Sequence, residues 1–259
     1  MSPLWRNHLY ITIEPQRIGL LKLGRGIKPK WIASFQEPIP DTGKKLLSQT
    51  ISDQLSQLLA EERWQDASVH ITLSNQFIRY AVVPFPAQLQ NHAEREAFAR
   101  HSLIQAYGTA AETWVLRIQH GKTGEPCLVS AVDITLLDGL RKACMTNQVK
   151  LVSVVPYVMP VFNKHRKVFK DKLIWLVISE SGYSSFCLVN DGQFIAFNGV
   201  YHDTMLEIPL LLDRENLVCS LLEPCRVVYL CATSNNDLSA LFKMTIQYEF
   251  KILDVPSPT

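Results

Sequence analysis

Residues 171–200 read DKLIWLVISESGYSSFCLVNDGQFIAFNGV and give the strongest indication of the fold. It contains three apolar runs rich in β-branched and aromatic residues, at 173–178, 183–189 and 193–198. Gly, Asn and Asp separate these runs, and those residues accept the positive φ angles that tight hairpins require. The first run, LIWLVI, barely alternates, which is typical of a strand covered on both faces. The stretch therefore predicts a three-stranded antiparallel meander whose first strand is central.

The start of the chain shows the same order of elements. Apolar runs at 8–13, 18–23 and 31–35 predict a second meander, with turns at 14–17 and 24–26. A helix and then a strand follow each meander, at 41–64 and 68–73 in the first half and at 209–222 and 226–231 in the second. The order β-β-β-α-β thus begins at residue 8 and again at residue 173, although the residues themselves do not repeat.

This duplication predicts a mixed α/β fold of two lobes, each with a meander-containing mixed sheet flanked by helices. The predicted lobes are residues 1–165 and 166–259, with a subdomain inserted around 86–132. Within the insertion, a helix is predicted over 91–107, with Ala93, Ala97 and Ile104 along its inward stripe. Strands are predicted over 113–119 and 127–132, and a helix over 135–145 and a strand over 150–155 follow.

Composition excludes several functional classes. The chain has 259 residues, is 47% hydrophobic and carries a net charge of +2, which gives little support for a nucleic-acid-binding role. The most basic stretch, residues 163–172, favours a solvated connection between the lobes, and an acidic partner surface is the alternative. No apolar run approaches the ~18–20 residues that a membrane span requires, and the first residues lack a signal-peptide pattern. We therefore expect a cytoplasmic protein.

The sequence offers no catalytic or metal-binding motif. Its seven histidines do not pair as HxH or HxxxH, and GxSxG, Walker and GxGxxG patterns are absent. Its six cysteines form no CxxC pair and lie within apolar patterns, so we expect buried, reduced thiols. The prediction is therefore no metal and no catalytic residue.

Four segments resemble a known family. They are FIRYAVVPFP (77–86), AEREAFARHSLIQAYG (93–108), TWVLRIQ (113–119) and CLVSAVDITLLDGLRKACMTNQVKLVSVVP (127–156). They resemble the bacterial type IV pilus assembly protein PilM, whose relatives include the cytoplasmic part of the type II secretion protein GspL and the pilus protein MshI. The resemblance covers about residues 8–250 and implies the actin-like, ribonuclease H-like fold that actin and sugar kinases share.

The sequence departs from that family where active members hold the nucleotide phosphates. The first phosphate loop of active members is D-x-G-S-S, but here Thr12 replaces the Asp, Glu14 replaces the Gly, and Pro15 follows. Proline has no N–H to donate, and the Glu14 carboxylate repels phosphate. The second loop offers only Glu180 and Gly182 as a shifted Glu-x-Gly.

The third nucleotide element, on the adenosine side, is degraded as well. Active members carry Gly-Gly there, whereas this chain reads Ala-Thr-Ser-Asn at 232–235 and includes Ser234. The degenerate nucleotide-binding positions are thus Thr12, Glu14, Glu180, Gly182 and Ser234. The resemblance implies an actin-like scaffold without ATP hydrolysis, and we expect no ATP or magnesium as a cofactor.

The resemblance also implies a partner. A PilM-like scaffold binds the cytoplasmic tail of a bitopic inner-membrane protein, here a PilN-like or GspL/GspM-like protein, and so associates with the membrane peripherally. The predicted docking region is the groove between the lobes or the inserted subdomain near 91–107. Two alternatives remain: a working actin-like ATPase or kinase that uses Glu14 and Glu180 as its acidic residues, and an unrelated mixed α/β module in which the duplication is accidental.

Overall fold

The computed structural model describes residues 6–26, 29–40, 43, 47–89, 91–119, 125–170, 172–233, 238–244 and 247–256. The strands in these residues are β1 (Asn7–Glu14), β2 (Arg17–Leu23), β3 (Trp31–Pro38), β4 (Ala67–Leu73), β5 (Ile78–Pro84), β6 (Trp114–Ile118), β7 (Pro126–Asp133), β8 (Lys150–Pro156), β9 (Leu173–Glu180), β10 (Tyr183–Asn190), β11 (Gln193–Tyr201), β12 (Val227–Ala232) and β13 (Glu249–Ile252). The helices are α1 (Leu47–Leu59), α2 (His92–Tyr107), α3 (Ile134–Thr146), α4 (Val158–His165), α5 (Ile208–Val218) and α6 (Leu238–Met244).

Two five-stranded sheets share one topology. The first sheet has the order β3-β2-β1-β4-β8, and the second has the order β11-β10-β9-β12-β13. In each, an antiparallel meander joins two parallel strands through its first strand. The predicted duplication is therefore confirmed, and the alternative of an accidental repeat in an unrelated fold is wrong.

The strands of a third sheet come after β4 and before β8 in the sequence. This sheet has three antiparallel strands in the order β5-β7-β6. Helix α2 packs on it, as Ala99 and Leu103 join a small core with Val83 and Val129. The insertion predicted around residues 86–132 overlaps this sheet, which also takes in β5 from the preceding residues.

The inward stripe predicted for α2 is wrong at two of its three positions, since only Ile104 of the three packs against the core of the third sheet. Ala93 and Ala97 are exposed, and the buried residues of the helix are Ala99 and Leu103. Alanines and charged residues are spread around the helix, so its periodicity alone does not select one face. Contact with the third sheet makes that selection instead.

The second meander matches its prediction closely. Strand β9 is the middle strand of five, and every residue in it except Leu173 is buried. Its Trp175 and Val177 pack in a core with Leu212 of α5, whereas Leu176 and Ile178 belong to a core that includes Phe162 of α4. Cover on both faces explains the unbroken apolar run.

The two lobes share one continuous core. Phe162 of α4 packs at a tilt against Phe194 of β11 with ring centroids 4.5 Å apart, and Tyr80 of β5 stacks on Phe197 with centroids 3.9 Å apart. The same core contains Ile51 of α1 and Leu140 of α3, which cover the first sheet. The element that joins the lobes, α4, is thus also the cover of the second sheet.

All six cysteines are free thiols; five are buried and Cys219 is partly buried. Burial raises the pKa of the Cys144 and Cys231 thiols to about 11, which keeps them protonated and unreactive. Among the described helices, none combines the length and the apolar character needed to cross a membrane.

Candidate functional site

The two phosphate-loop positions are equivalent hairpin turns that meet where the lobes touch. Strand β1 ends at Glu14, which pairs with Arg17 across a two-residue turn. Strand β9 ends at Glu180, which pairs with Tyr183 across the turn formed by Ser181 and Gly182. Each lobe therefore places one carboxylate at the last strand position before its turn.

Glu180 is buried in the lobe interface, with 6% of its surface exposed. Its Oε2 accepts a hydrogen bond from the backbone N–H of Asn75, in the loop after β4 of the first lobe, at 3.1 Å. Burial raises the pKa of the Glu180 carboxyl to about 7, although hydrogen bonds from Ser74 and Asn75 oppose that rise. The nearby charge of Glu14 raises the pKa further. A second-lobe carboxyl thus lies against a first-lobe loop.

Asn75 connects three parts of the molecule. Its side chain is fully buried, and its Oδ1 accepts a hydrogen bond from the Tyr80 hydroxyl at 2.7 Å. The same Oδ1 accepts a hydrogen bond from the backbone N–H of Val158, at the start of α4, at 3.1 Å. Since its own N–H donates to Glu180, Asn75 joins the insertion, the connecting helix and the second lobe.

Glu14 has a different environment from Glu180. Its carboxylate accepts hydrogen bonds from Arg17 Nε at 3.0 Å and Arg17 Nη2 at 2.9 Å. Both side chains reach solvent, with 20% of Glu14 and 44% of Arg17 exposed. The turn between these residues contains Pro15, which has no N–H. The first turn is therefore an ion-paired surface hairpin.

The other predicted positions do not all converge on this interface. Thr12 is exposed, and the cavity of about 530 Å³ beside it is lined by residues of β1, β2 and β3 and their margins. Gly182 adopts a positive φ of 66°, and its carbonyl accepts a hydrogen bond from the His202 N–H. Ser234 lies outside the described residues. The structure brings Glu14, Glu180 and Gly182 to the turns and leaves Thr12 apart.

The residues at the turns do not fit a magnesium nucleotide. A phosphate cradle needs several unengaged N–H donors and a positive field. Here Pro15 lacks a donor, the Asn75 N–H already binds Glu180, and two carboxylates contribute negative charge.

A separate groove lies between the third sheet and the first. It has a volume of about 380 Å³ and is lined by β6, β7, α3 and β8, including Val115, Arg117, Leu137 and Val152. Within the described strands, β6 pairs with β7 and β8 pairs with β4, so each forms the edge of its sheet. We call this the edge groove.

A second cavity of about 530 Å³ lies between the lobes beside the first turn. Pro15 and Gln16 line it together with the start of α1, Arg79 of β5 and Tyr201 of β11. Its position agrees with the predicted interlobe groove. Helix α2, the other predicted docking element, packs on one face of the third sheet and presents Glu96 and Arg100 to a cavity of about 610 Å³.

Sequence reasoning missed Ser74, Asn75 and Tyr80. A short Ser-Asn-Gln break between two strands indicates only a turn. Nothing in local pattern shows that Glu180, 105 positions further along the chain than Asn75, binds that turn. The loop after β4 and the turn after β9 come together only when the two lobes of the duplicated fold pack against each other.

The chain has the actin-like ATPase fold, with two lobes of equivalent topology and a carboxylate before the first turn of each meander. Its structure is similar to that of a Bacteroides thetaiotaomicron protein with an actin-like ATPase fold and unknown function. That alignment has a TM-score of 0.64 and 12% sequence identity over 96% of this chain and 91% of the other.

Two assembly proteins are similar as well. The PilM–PilN type IV pilus biogenesis complex aligns with a TM-score of 0.69 and 14% identity, over 95% of this chain and 88% of that chain. The cytoplasmic domain of EpsL, an inner-membrane component of the Vibrio cholerae type II secretion system, aligns with a TM-score of 0.58 and 13% identity. That alignment covers 98% of this chain and 90% of the EpsL chain. No family model matches the sequence, and no curated protein matches it significantly.

Proposed function

We propose that this chain is a non-catalytic actin-like scaffold in the inner-membrane platform of a type IV pilus or a type II secretion-like machine. It acts on the cytoplasmic side and binds the cytoplasmic tail of a bitopic membrane protein. The observation that carries the proposal is the Glu180–Asn75 contact, which buries the carboxyl of the second-lobe turn against a loop of the first lobe. The similarity to PilM–PilN and to the EpsL cytoplasmic domain supports the choice of machine.

The altered turns support a structural role for the lobe interface. In a nucleotide-driven protein of this fold, both turns need free donors and room between the lobes. In this chain, Glu180, Asn75 and Tyr80 tie the lobes together through buried groups. Opening that interface would leave buried polar groups without partners, at a cost of about 1–3 kcal/mol each. The scaffold is therefore a rigid body.

The edge groove is the docking site that we assign to the partner tail. An extended peptide can add to an exposed sheet edge through backbone hydrogen bonds, and alternate side chains then enter neighbouring pockets. Strand β8 offers such an edge, and its Val152 is 50% exposed. Arg117 adds a positive charge at the groove. The tail that fits is extended and apolar, with one acidic residue.

The test is calorimetric binding of the cytoplasmic N-terminal peptide of the PilN-like protein from the same genome. We expect a saturable one-to-one complex with the intact chain. Val152→Asp should weaken binding at least about tenfold, because a buried charge opposes an apolar ligand. The matched control is Val218→Asp, at a 68%-exposed valine in the second lobe.

Three outcomes separate the parts of the proposal. No binding of the peptide by the wild-type chain overturns the partner assignment. If both variants retain binding, the edge groove is not the docking site, but the assignment of the partner stands. If both variants lose binding equally, the loss is not specific to the edge groove and the tail lies elsewhere. The interlobe cavity beside Pro15 and Tyr201 is then the next site to change.

A working actin-like ATPase or kinase is the second candidate. The observation in its favour is Glu180 itself, since a carboxyl whose pKa is about 7 suits general acid–base chemistry near neutral pH. Glu14 would then be the second acidic residue.

Nucleotide binding distinguishes the two candidates. Thermal unfolding is measured with ATP and magnesium, since a ligand at 100 times its Kd stabilises a protein by about 2.7 kcal/mol. The scaffold proposal expects no shift at millimolar ATP. A saturable shift that Glu180→Gln abolishes would establish the nucleotide-binding alternative instead.

A further inference from the structure

Two histidines from distant parts of the chain meet on the surface of the first sheet. His8 lies on β1 and His70 on β4, and their Nδ1 and Nε2 atoms are 3.2 Å apart. Strands β1 and β4 pair in parallel, and Tyr10 is the register partner of His70. His8 lies two residues before Tyr10 on the same face of β1, so it is next to His70. None of these three side chains is buried.

A third strand fixes the orientation of His70. Ser153 on β8 is its register partner, and the Ser153 hydroxyl lies 3.1 Å from His70 Nδ1. When Nδ1 donates its proton to that hydroxyl, Nε2 presents a lone pair towards His8. Tyr10 stacks on the His70 ring with centroids 5.1 Å apart and restricts its rotation. Partial burial and the neighbouring His8 lower the pKa of His70.

The distance between the two nitrogens matches metal chelation. Two imidazole nitrogens bound at about 2.05 Å to one tetrahedral zinc ion lie about 3.3 Å apart. A ligand histidine typically has its second ring nitrogen held by an oriented polar group, as Ser153 holds His70. Neutral imidazoles suit Zn²⁺, Cu²⁺ and Ni²⁺.

We propose that His8 and His70 form a two-histidine site for a divalent transition-metal ion, with Ser153 as the positioning residue for His70. Among the described residues, no group of three or more His, Cys, Asp or Glu side chains converges on one point. Water molecules therefore complete the coordination, and the site is an exchangeable surface site. The ion would tie β1 to β4, and this proposal is independent of the partner tail and of ATP.

The alternative is a plain hydrogen bond in which His8 Nδ1 donates to His70 Nε2. Both arrangements place the two nitrogens at the same distance, so only a metal titration separates them. Zinc binding to the full chain is measured by calorimetry, and the copper-loaded protein is examined by electron paramagnetic resonance for the number of nitrogen ligands. The wild-type copper spectrum needs no variant and shows two imidazole nitrogens if the pair chelates.

Variants assign the site. His8→Gln and His70→Gln should each abolish the saturable zinc isotherm and remove one nitrogen from the copper spectrum. Ser153→Ala should keep both nitrogens and weaken zinc binding about tenfold. The control His92→Gln changes a histidine whose side chain is 80% exposed on α2 and should leave binding unchanged. The proposal is overturned if the chain binds neither zinc nor copper at millimolar metal concentrations. It is also overturned if His8→Gln and His70→Gln bind zinc as tightly as the wild type.

Discussion

The two lobes place a glutamate at the same position and treat it in opposite ways. Glu14 and Glu180 each end the first strand of a meander, one residue before a two-residue turn. Glu14 meets Arg17 at the surface, whereas Glu180 is buried against Asn75 of the other lobe. Equivalent backbone positions therefore carry one solvated ion pair and one desolvated carboxyl.

The surroundings of the two sheets explain the difference. The face of β9 that carries Leu176 and Ile178 is covered by the core around α4, and Glu180 continues that face. The equivalent face of β1 carries His8, Tyr10 and Thr12, none of which is buried. Duplication repeats the topology, but the connecting helix covers one copy only. Burial, and with it the pKa of the carboxyl, follows from that asymmetry.

The largest expected effect is at Asn75, the first-lobe contact of Glu180. Asn75→Ala leaves the buried Tyr80 hydroxyl and the Val158 N–H without their acceptor. We expect a loss of about 3–4 kcal/mol in the free energy of unfolding, measured with urea. The control is Thr233→Ala in the corresponding second-lobe loop, where the side chain is exposed and the expected cost is under about 0.5 kcal/mol. Equal costs at both positions would remove the proposed asymmetry.

The next effect is a pH dependence carried by Glu180. The pKa of the Glu180 carboxyl is about 7 in the folded chain and near 4.5 when the side chain is fully solvated, as in the unfolded chain. Between those two pH values the folded state therefore binds more protons than the unfolded state. The stability contribution is full below pH 4.5, falls as pH rises, and is lost above about pH 7. The predicted fall is on the order of 3 kcal/mol.

Substitution isolates that carboxyl. Glu180→Gln keeps an oxygen for the Asn75 N–H but cannot ionise, so the variant should gain stability over the wild type at pH 8 and match it near pH 5. Urea unfolding across this range is the measurement. Glu14→Gln is the matched control and should retain most of the wild-type fall between pH 5 and pH 8, because the charge of Glu14 is the smallest contribution to the raised pKa of Glu180. A fall of unchanged size in Glu180→Gln would show that another group causes it.

A glycine in each meander tests the packing beside the turns. A Cβ at Gly199 would lie 1.8 Å from the Tyr183 hydroxyl, whereas one at Gly19 would lie 2.8 Å from Thr12 Oγ1. Tyr183 is buried, so Gly199→Ala must displace its ring, at a cost of about 1–3 kcal/mol. Gly19→Ala adds its methyl next to an exposed side chain and should cost under about 1 kcal/mol. Thermal unfolding of Gly199→Ala and Gly19→Ala measures the loss of stability that each substitution causes.

Much of this fold follows from local pattern. Turn residues and unbroken apolar runs indicate both meanders, because strand type and hairpin position depend on neighbouring residues. The two turn carboxylates were named by comparison with the phosphate loops of the resembled family. The partners of Glu180 could not be named, since Ser74 and Asn75 reach it only through tertiary packing. The His8–His70 pair was missed similarly, as strand register brings together residues 62 positions apart.

The smallest expected effect is at the first turn. The bidentate contact of Arg17 with Glu14 has good geometry, but both side chains reach solvent. A double-mutant cycle with Glu14→Gln and Arg17→Met should give a coupling energy of about 0.3–1 kcal/mol, reduced in molar salt because ions screen exposed pairs. A coupling above about 2 kcal/mol that resists salt would mean that Glu14 is as desolvated as Glu180. The difference between the lobes would then lie in the counter-ion, since Arg17 compensates one carboxylate and no such cation is bound to the other among its described contacts.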